Sequence, residues 1–321
     1  MATFIVDSKL SCDQMREEFW NMQMLAVPFK NVYDGLVWCA SRNLINNSVL
    51  CDMCNRAKTF IRRTGVVDQY CWKCKECSAT TSVRDGSFFA RSSLSIYQII
   101  ILMYGFANDF PQKLIRREVS LGNCTKTATR WCLNCRQVCT RYFEQHPVEL
   151  GGFDEQGEPL VVELDESSFL PRKNLRGADK KEEWVFGGLE RKTGKLFLTP
   201  VQERKEETLL PLISGTILPG TVIVTNGLEA YRNIGRFGGG VYEHQIILKQ
   251  NNFRNSDDNT VHTKNMEKLW LRAKKRLSTQ WLNSTDLFPS YLQEFMWREQ
   301  VKHKDPFVEF LICVSEQYLV S

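Results

Sequence analysis

The sequence predicts an α/β domain built on a mixed sheet, preceded by a small cysteine-bearing β ribbon and a helical segment. Three observations predict it. Beyond Gly151-Gly152 the apolar patterning runs strand, strand, strand, helix, strand, helix, strand, helix. Residues 48–91 carry paired cysteines among basic residues and short β-like runs. Residues 93–146 carry apolar side chains at helical spacing.

Taken in order, residues 1–47 read as N-terminal helices. "CDQMREEFWNMQM" has helical spacing, and "FKNVYDGLVWCASRNLI" follows Pro28, a suitable helix start. Residues 48–91 form the ribbon. Residues 92–150 read as three helices: "SLSIYQIIILMYGFAND" behind a Ser cap, "PQKLIRREV" with Pro111 in its first turn, and, after the turn "SLGN", the basic "TKTATRWCLNCRQVCTRYFEQH". Helix, helix, short turn and long basic helix is the outline of a helix-turn-helix, or of an ordinary three-helix segment. Residues 151–285 form the sheet domain. Its strands are "PLVVELDESSF", "EWVFGGLER", "KLFLTPV", "TVIVT" and "YEHQIIL". Its helices are "KEETLLPLISGTI", the short "GLEAYRNI" and "TKNMEKLWLRAKKRL". An antiparallel meander joined to parallel strands in this order is the ribonuclease-H-like arrangement, shared with retroviral integrases. Residues 286–321 read as an amphipathic helical extension packed on that domain.

Charge is unevenly placed. Residues 1–150 hold 19 Lys and Arg against 13 Asp and Glu, whereas residues 151–321 hold 23 against 24. The excess favours a polyanion at the N-terminal half, against the plainer reading of a soluble basic surface. "MATFIVDSKLSCD" lacks a signal-peptide pattern, and "SIYQIIILMYGFA" is too short to span a bilayer. A soluble intracellular chain with no membrane partner is expected, so the 12 cysteines should be thiols or metal ligands.

"CDMC" and "CWKCKEC" place two knuckles a short basic segment apart, the pattern of a tetrahedral structural zinc. Cys51 and Cys54 form one pair. Cys74 and Cys77 form the favoured second pair, with Cys71 and Cys74 the alternative. Zinc supplies on the order of 10–16 kcal/mol to such small modules. Arg56, Lys58, Arg62, Arg63, Lys73, Lys75 and Arg84 decorate the ribbon, and Lys126 and Arg130 the long helix; all suit DNA phosphate contacts. Cys132, Cys135 and Cys139, with Cys124 nearby, share one helix face and read as core packing, with a second metal site the alternative.

On the expected sheet, Asp165 lies late in the first strand, Asn226 ends the fourth, and Glu267 lies on the following long helix; the three converge at one edge. Carboxylates there would hold two Mg2+ or Mn2+ ions. Lys274, two turns past Glu267, could reach a phosphate.

At these residues the sequence resembles the Merlin superfamily of DNA transposases and their bacterial insertion-sequence relatives. The resemblance spans roughly 30–312: "YCWKCKECSATTSVRDGSFF", "VELDESSF", "KNLRG", "WVFGGLER", "TLLPLISGTILPGTVI", "HTKNMEKLW" and "YLQEFMWRE". It implies binding to double-stranded DNA and strand cleavage and transfer by a metal-dependent DDE site, with Asp165 as first acid and Glu267 as third. It also implies nuclear location in a eukaryote, cytoplasmic otherwise, and is compatible with a homo-oligomer on DNA. A Ser-Asp pair with an aromatic after it is usual in the family. Here the stretch is "TNGLEAY", so Asn226 replaces the acid and Leu228 the aromatic, and downstream Lys249 falls where a polar group or His is expected.

An amide carbonyl can ligate a hard cation but brings no charge. One unit-charge pair about 4 Å apart is worth roughly 4 kcal/mol at an effective dielectric near 20. The expectation is therefore a degenerate or domesticated transposase homologue that binds DNA with impaired strand transfer. Two alternatives stay open: an active transposase that tolerates Asn226 or recruits Asp257 or Asp258, and a scaffold whose ribbon contacts protein.

Overall fold

The structure is a computed structural model describing residues 3–169, 182–247, 263–280, 285–318 and 320. The chain divides into two units, Met1–Tyr142 with Val301–Ser321, and Phe143–Gln300. No helix among the described residues is long and apolar enough to cross a membrane.

The first unit opens with α1 (Cys12–Arg16), α2 (Met22–Leu25) and α3 (Val32–Ser41). The single helix expected over "CDQMREEFWNMQM" is two, because Asn21 interrupts it and caps α2 through the Met24 N–H. The ribbon follows as an antiparallel sheet in the order β1 (Thr59–Arg62), β2 (Tyr70–Lys73), β3 (Thr80–Ser82). Then come α4 (Ile96–Ala107), α5 (Gln112–Glu118) and α6 (Thr125–Gln145). A reciprocal Ser95–Gln98 capping box fixes the start of α4. On α6, Cys135 and Cys139 are buried and Cys132 half-buried.

The second unit holds β4 (Leu150–Gly151), β5 (Val161–Phe169), β6 (Glu183–Glu190), β7 (Leu196–Val201), α7 (Glu206–Thr216), β8 (Ile217–Leu218), β9 (Val222–Asn226), β10 (Glu243–Ile247), α8 (Lys264–Gln280) and α9 (Phe288–Val301). Its five-stranded sheet runs β10-β9-β5-β6-β7. The β5-β6-β7 meander is antiparallel, and β9 and β10 run parallel to β5. That order and those directions are the ribonuclease-H-like sheet. The short helix expected over "GLEAYRNI" is instead a run of tight 3-10 turns, over Glu229–Tyr231 and again from Ile234 to Gly239, the latter interrupted by a kink at Phe237 and Gly238.

Two features place α8 beside β5. The fully buried Glu163 carboxylate accepts from Met266 N (3.0 Å), Asn265 Nδ2 (2.9 Å) and Arg191 Nε (2.7 Å), fastening the helix's first turn to the strand. Gly187, opposite Asp165 in the β5–β6 register, leaves room for the helix to approach. A Cβ there would lie 2.6 Å from Leu198 and 3.1 Å from Trp270.

The expected C-terminal extension is divided between the units. α9 lends Phe288, Leu292, Phe295 and Met296 to the sheet domain's core. α10 (Pro306–Gln317) belongs to the first unit, where Phe307 meets Tyr104 and Phe310 meets Phe106. From Phe307 to Val314 every residue of α10 is buried, so it needs a core around it rather than one surface to lie on. Lys249, Asp257, Asp258 and the "KNLRG" stretch lie outside the described residues.

Candidate functional site

The ribbon gathers four thiols. Cys51 Sγ lies 3.4 Å from Cys77 Sγ and Cys54 Sγ 3.4 Å from Cys74 Sγ, and all four sulfurs lie within 4.8 Å of one another. Tetrahedral bonds of about 2.3 Å put neighbouring sulfurs about 3.8 Å apart, so the set fits one metal ion. The Met53 backbone N–H does most to draw the Cys51 thiol down to about 6, and the Cys77 N–H lowers Cys74, while their hydrogen-bonded partners move the other way: Cys54 is raised by its contact with Cys74, and Cys77 is raised as well. Such N–H groups favour the thiolate that a metal requires. Cys71 is buried in β2 and stands outside the group.

Two of the basic residues expected to contact phosphate, Lys58 and Arg84, are buried. Arg84 forms a bidentate pair with Asp68, both contacts 2.6 Å, and donates to the Ser92 and Leu94 carbonyls. Lys58 is 2 % exposed and donates to Thr81 Oγ1. Both are committed to the fold. Arg56, Arg62, Arg63, Lys73, Lys75, Lys126 and Arg130 are exposed. A groove of about 410 Å³ runs along the start of α6, lined by Arg91, Lys126, Arg130, Thr127 and Asn134 and by no acidic side chain. It shares Ala90, Arg91 and Ser92 with a cleft of about 820 Å³ beside the ribbon that contains Arg63.

In the second unit the edge formed by β5, β9 and α8 brings Asp165 and Asn226 into contact. The Asn226 Nδ2 donates to Asp165 Oδ1 at 2.9 Å and lies 3.5 Å from Glu166 Oε1. The Asn226 Oδ1 accepts from Leu228 N at 3.0 Å, closing an Asx turn. This bond fixes which way the amide faces. The atom with which an Asn could ligate a cation turns to the backbone, and the non-ligating NH2 faces the carboxylates.

Four neighbouring residues, Trp270, Glu166, Tyr231 and Arg204, lie outside the sequence reading. Trp270 Nε1 donates to Asp165 Oδ2 at 3.0 Å, so both Asp165 oxygens receive neutral N–H donors. Glu166, its side chain 6 % exposed, accepts from the Tyr231 hydroxyl at 2.7 Å and pairs with Arg204 at 3.7 Å. Arg204 in turn stacks over Trp184 at 3.6 Å. Burial, then the Glu166 charge, raises the Asp165 carboxyl to about 6. Burial and the same charge hold the Tyr231 hydroxyl well above its ordinary value. The signal for Glu166 was its adjacency to Asp165; nothing local marked Trp270 or Tyr231 as donors.

Glu267 sits half-buried in the first turn of α8, one turn before Trp270, and exposed Lys274 lies a further turn on, its Nζ 5.7 Å from the Phe169 ring centre. Among the described residues, Glu267 does not join Asp165 and Glu166 in a convergent three-carboxylate group. His244 Nε2 meets Thr225 Oγ1 at 2.9 Å, and burial lowers its basicity. The donor set does not fit two divalent ions. Asp165 receives one neutral N–H donor on each oxygen, Glu166 is engaged by Tyr231 and Arg204, and Asn226 brings an amide without charge.

A family model described as ISXO2-like transposase domain matches residues 154–300. It supports an insertion-sequence-like transposase relation for the sheet domain. Among solved structures, the dimeric magnesium-bound catalytic core domain of HTLV-2 integrase matches at 12 % identity, covering 43 % of this chain and 82 % of that one, with a TM-score of 0.27. An intasome of simian T-cell lymphotropic virus matches at 16 % identity, covering 62 % and 67 %, with a TM-score of 0.31. The fold assignment rests on strand order and direction rather than on these likenesses. No curated protein matches significantly.

Proposed function

We propose that the chain is a DNA-binding protein of the DDE transposase kind, a degenerate or domesticated relative of the Merlin group, in which strand cleavage and transfer are impaired. One observation carries the reading: the position of the second acid holds Asn226, whose NH2 faces Asp165. Losing that charge beside divalent ions weakens their binding by roughly a thousandfold at an effective dielectric near 20. The basic groove at α6 supports a polyanion partner, since it offers three cations with hydroxyl and amide donors and no acid. Zinc fits the four-cysteine group and would hold the ribbon together through Cys51, Cys54, Cys74 and Cys77.

The test is duplex-DNA binding measured from low to physiological salt. Phosphate contacts make log K fall linearly with log salt, by about 0.9 for each phosphate neutralised. A steep slope is the expected result. Binding to no DNA at any salt overturns the reading and leaves the ribbon as a protein-contact scaffold.

A further inference from the structure

We infer that the Asn226 carboxamide takes the place of a cation, closing Asp165 and Glu166 into a network complete without a divalent metal. A single change, Asn226→Asp, then creates a metal site built from that side chain, Asp165 and Glu166. The inference deepens the reading of an impaired catalytic edge and rests on it.

The geometry carries the argument. Asn226 Nδ2 has two hydrogens and stands 2.9 Å from Asp165 Oδ1 and 3.5 Å from Glu166 Oε1, between two acids adjacent in sequence. Two carboxylates brought this close repel unless something positive or hydrogen-donating separates them. Here that role falls to the amide, assisted by Trp270 on the far oxygen of Asp165 and by Tyr231 and Arg204 on Glu166. The amide cannot turn round freely, because the Leu228 N–H holds its oxygen.

Replacing the NH2 by an oxygen removes the donor to Asp165 Oδ1 and adds a third negative group at the same point. Without a cation, three carboxylates face one another in a half-buried site. With one, hard oxygen ligands converge from β5 and β9. The Asn therefore makes the edge indifferent to divalent metal, and the Asp makes it dependent.

The experiment counts bound Mn2+ by electron paramagnetic resonance on the full zinc-loaded chain, in buffers stripped of other divalent ions, and follows thermal unfolding in parallel. The unaltered chain should take up no Mn2+ that Asp165→Asn removes. Asn226→Asp should bind one Mn2+ roughly a thousandfold tighter than any residual Mn2+ uptake by the unaltered chain, the worth of one added charge at close range. Without Mn2+ it should melt roughly 5 °C lower, and Mn2+ should restore the loss. Adding Glu166→Gln to Asn226→Asp should abolish most of this gain.

Asp165-dependent Mn2+ binding by the unaltered chain overturns the inference, and that measurement needs no new variant to fold. Loss of the gained Mn2+ with Glu267→Gln but not with Glu166→Gln overturns the assignment of Glu166. The wider reading fails on different results. Strand cleavage by the unaltered chain, or absence of DNA binding, counts against the proposed function whatever the Mn2+ count.

Discussion

Asn226 is held at both ends, its oxygen by Leu228 N and its nitrogen by Asp165. Asn-Gly sequences deamidate when the side chain is free to cyclise onto the following backbone nitrogen. The double tether opposes that rotation. Peptide mass spectrometry of aged protein should therefore find the peptide spanning Asn226 without a deamidation shift while the chain stays folded; a shift appearing as fast as in the unfolded chain contradicts the tether. Tyr231→Phe removes a buried donor from Glu166 and should cost about 1–3 kcal/mol in chemical denaturation, with an unchanged midpoint as the contrary result. At this scale the sequence was legible in part. Asp165 and Asn226 could be placed at one edge because strand ends converge in this fold. Trp270 could not be read as a donor, since its contact depends on how closely α8 approaches β6 at Gly187.

Among the elements, the ribbon and α8 depend on particular fastenings. Arg84 and Asp68 form a buried pair, their side chains 4 % and 10 % exposed. Arg84→Ala should destabilise the first unit by about 3–5 kcal/mol, because Asp68 is then left buried and uncompensated. The exposed Arg62→Ala should change stability by less than about 0.5 kcal/mol. Equal effects of the two changes on the unfolding midpoint would remove the distinction between structural and phosphate-facing arginines. Cys54→Ser should lose the ribbon metal and, with it, hydrogen-exchange protection at the amides of β2 and β3; preserved protection would mean that the ribbon stands without metal. Cysteine spacing made the knuckles legible. It did not reveal which basic residues turn inward, because Lys58 and Arg84 carry the same composition signal as their exposed neighbours. The assignment of α10 to the first unit was hidden for a similar reason: the apolar side chains of "FVEFLICV" mark a helix that packs on something, not on which core.

For the whole molecule, the proposed function assigns DNA binding to the first unit and impaired chemistry to the edge of the second. Replacing Arg91, Lys126 and Arg130 by Ala should weaken duplex binding across sequences and reduce the salt slope by about 3, roughly one unit per lost phosphate contact. An unchanged slope would move the contact away from the α6 groove without removing DNA binding itself. Strand order was the most legible property at this scale, because alternation and turn residues marked each strand and the order admits few topologies. Whether an amide at the end of β9 silences the edge is decided by Mn2+-dependent strand cleavage on duplex DNA that the chain binds, with the unaltered protein and Asn226→Asp assayed side by side. The expected result is no cleavage by the unaltered chain and a gain of metal-dependent nicking with Asn226→Asp. Robust cleavage by the unaltered chain would contradict it.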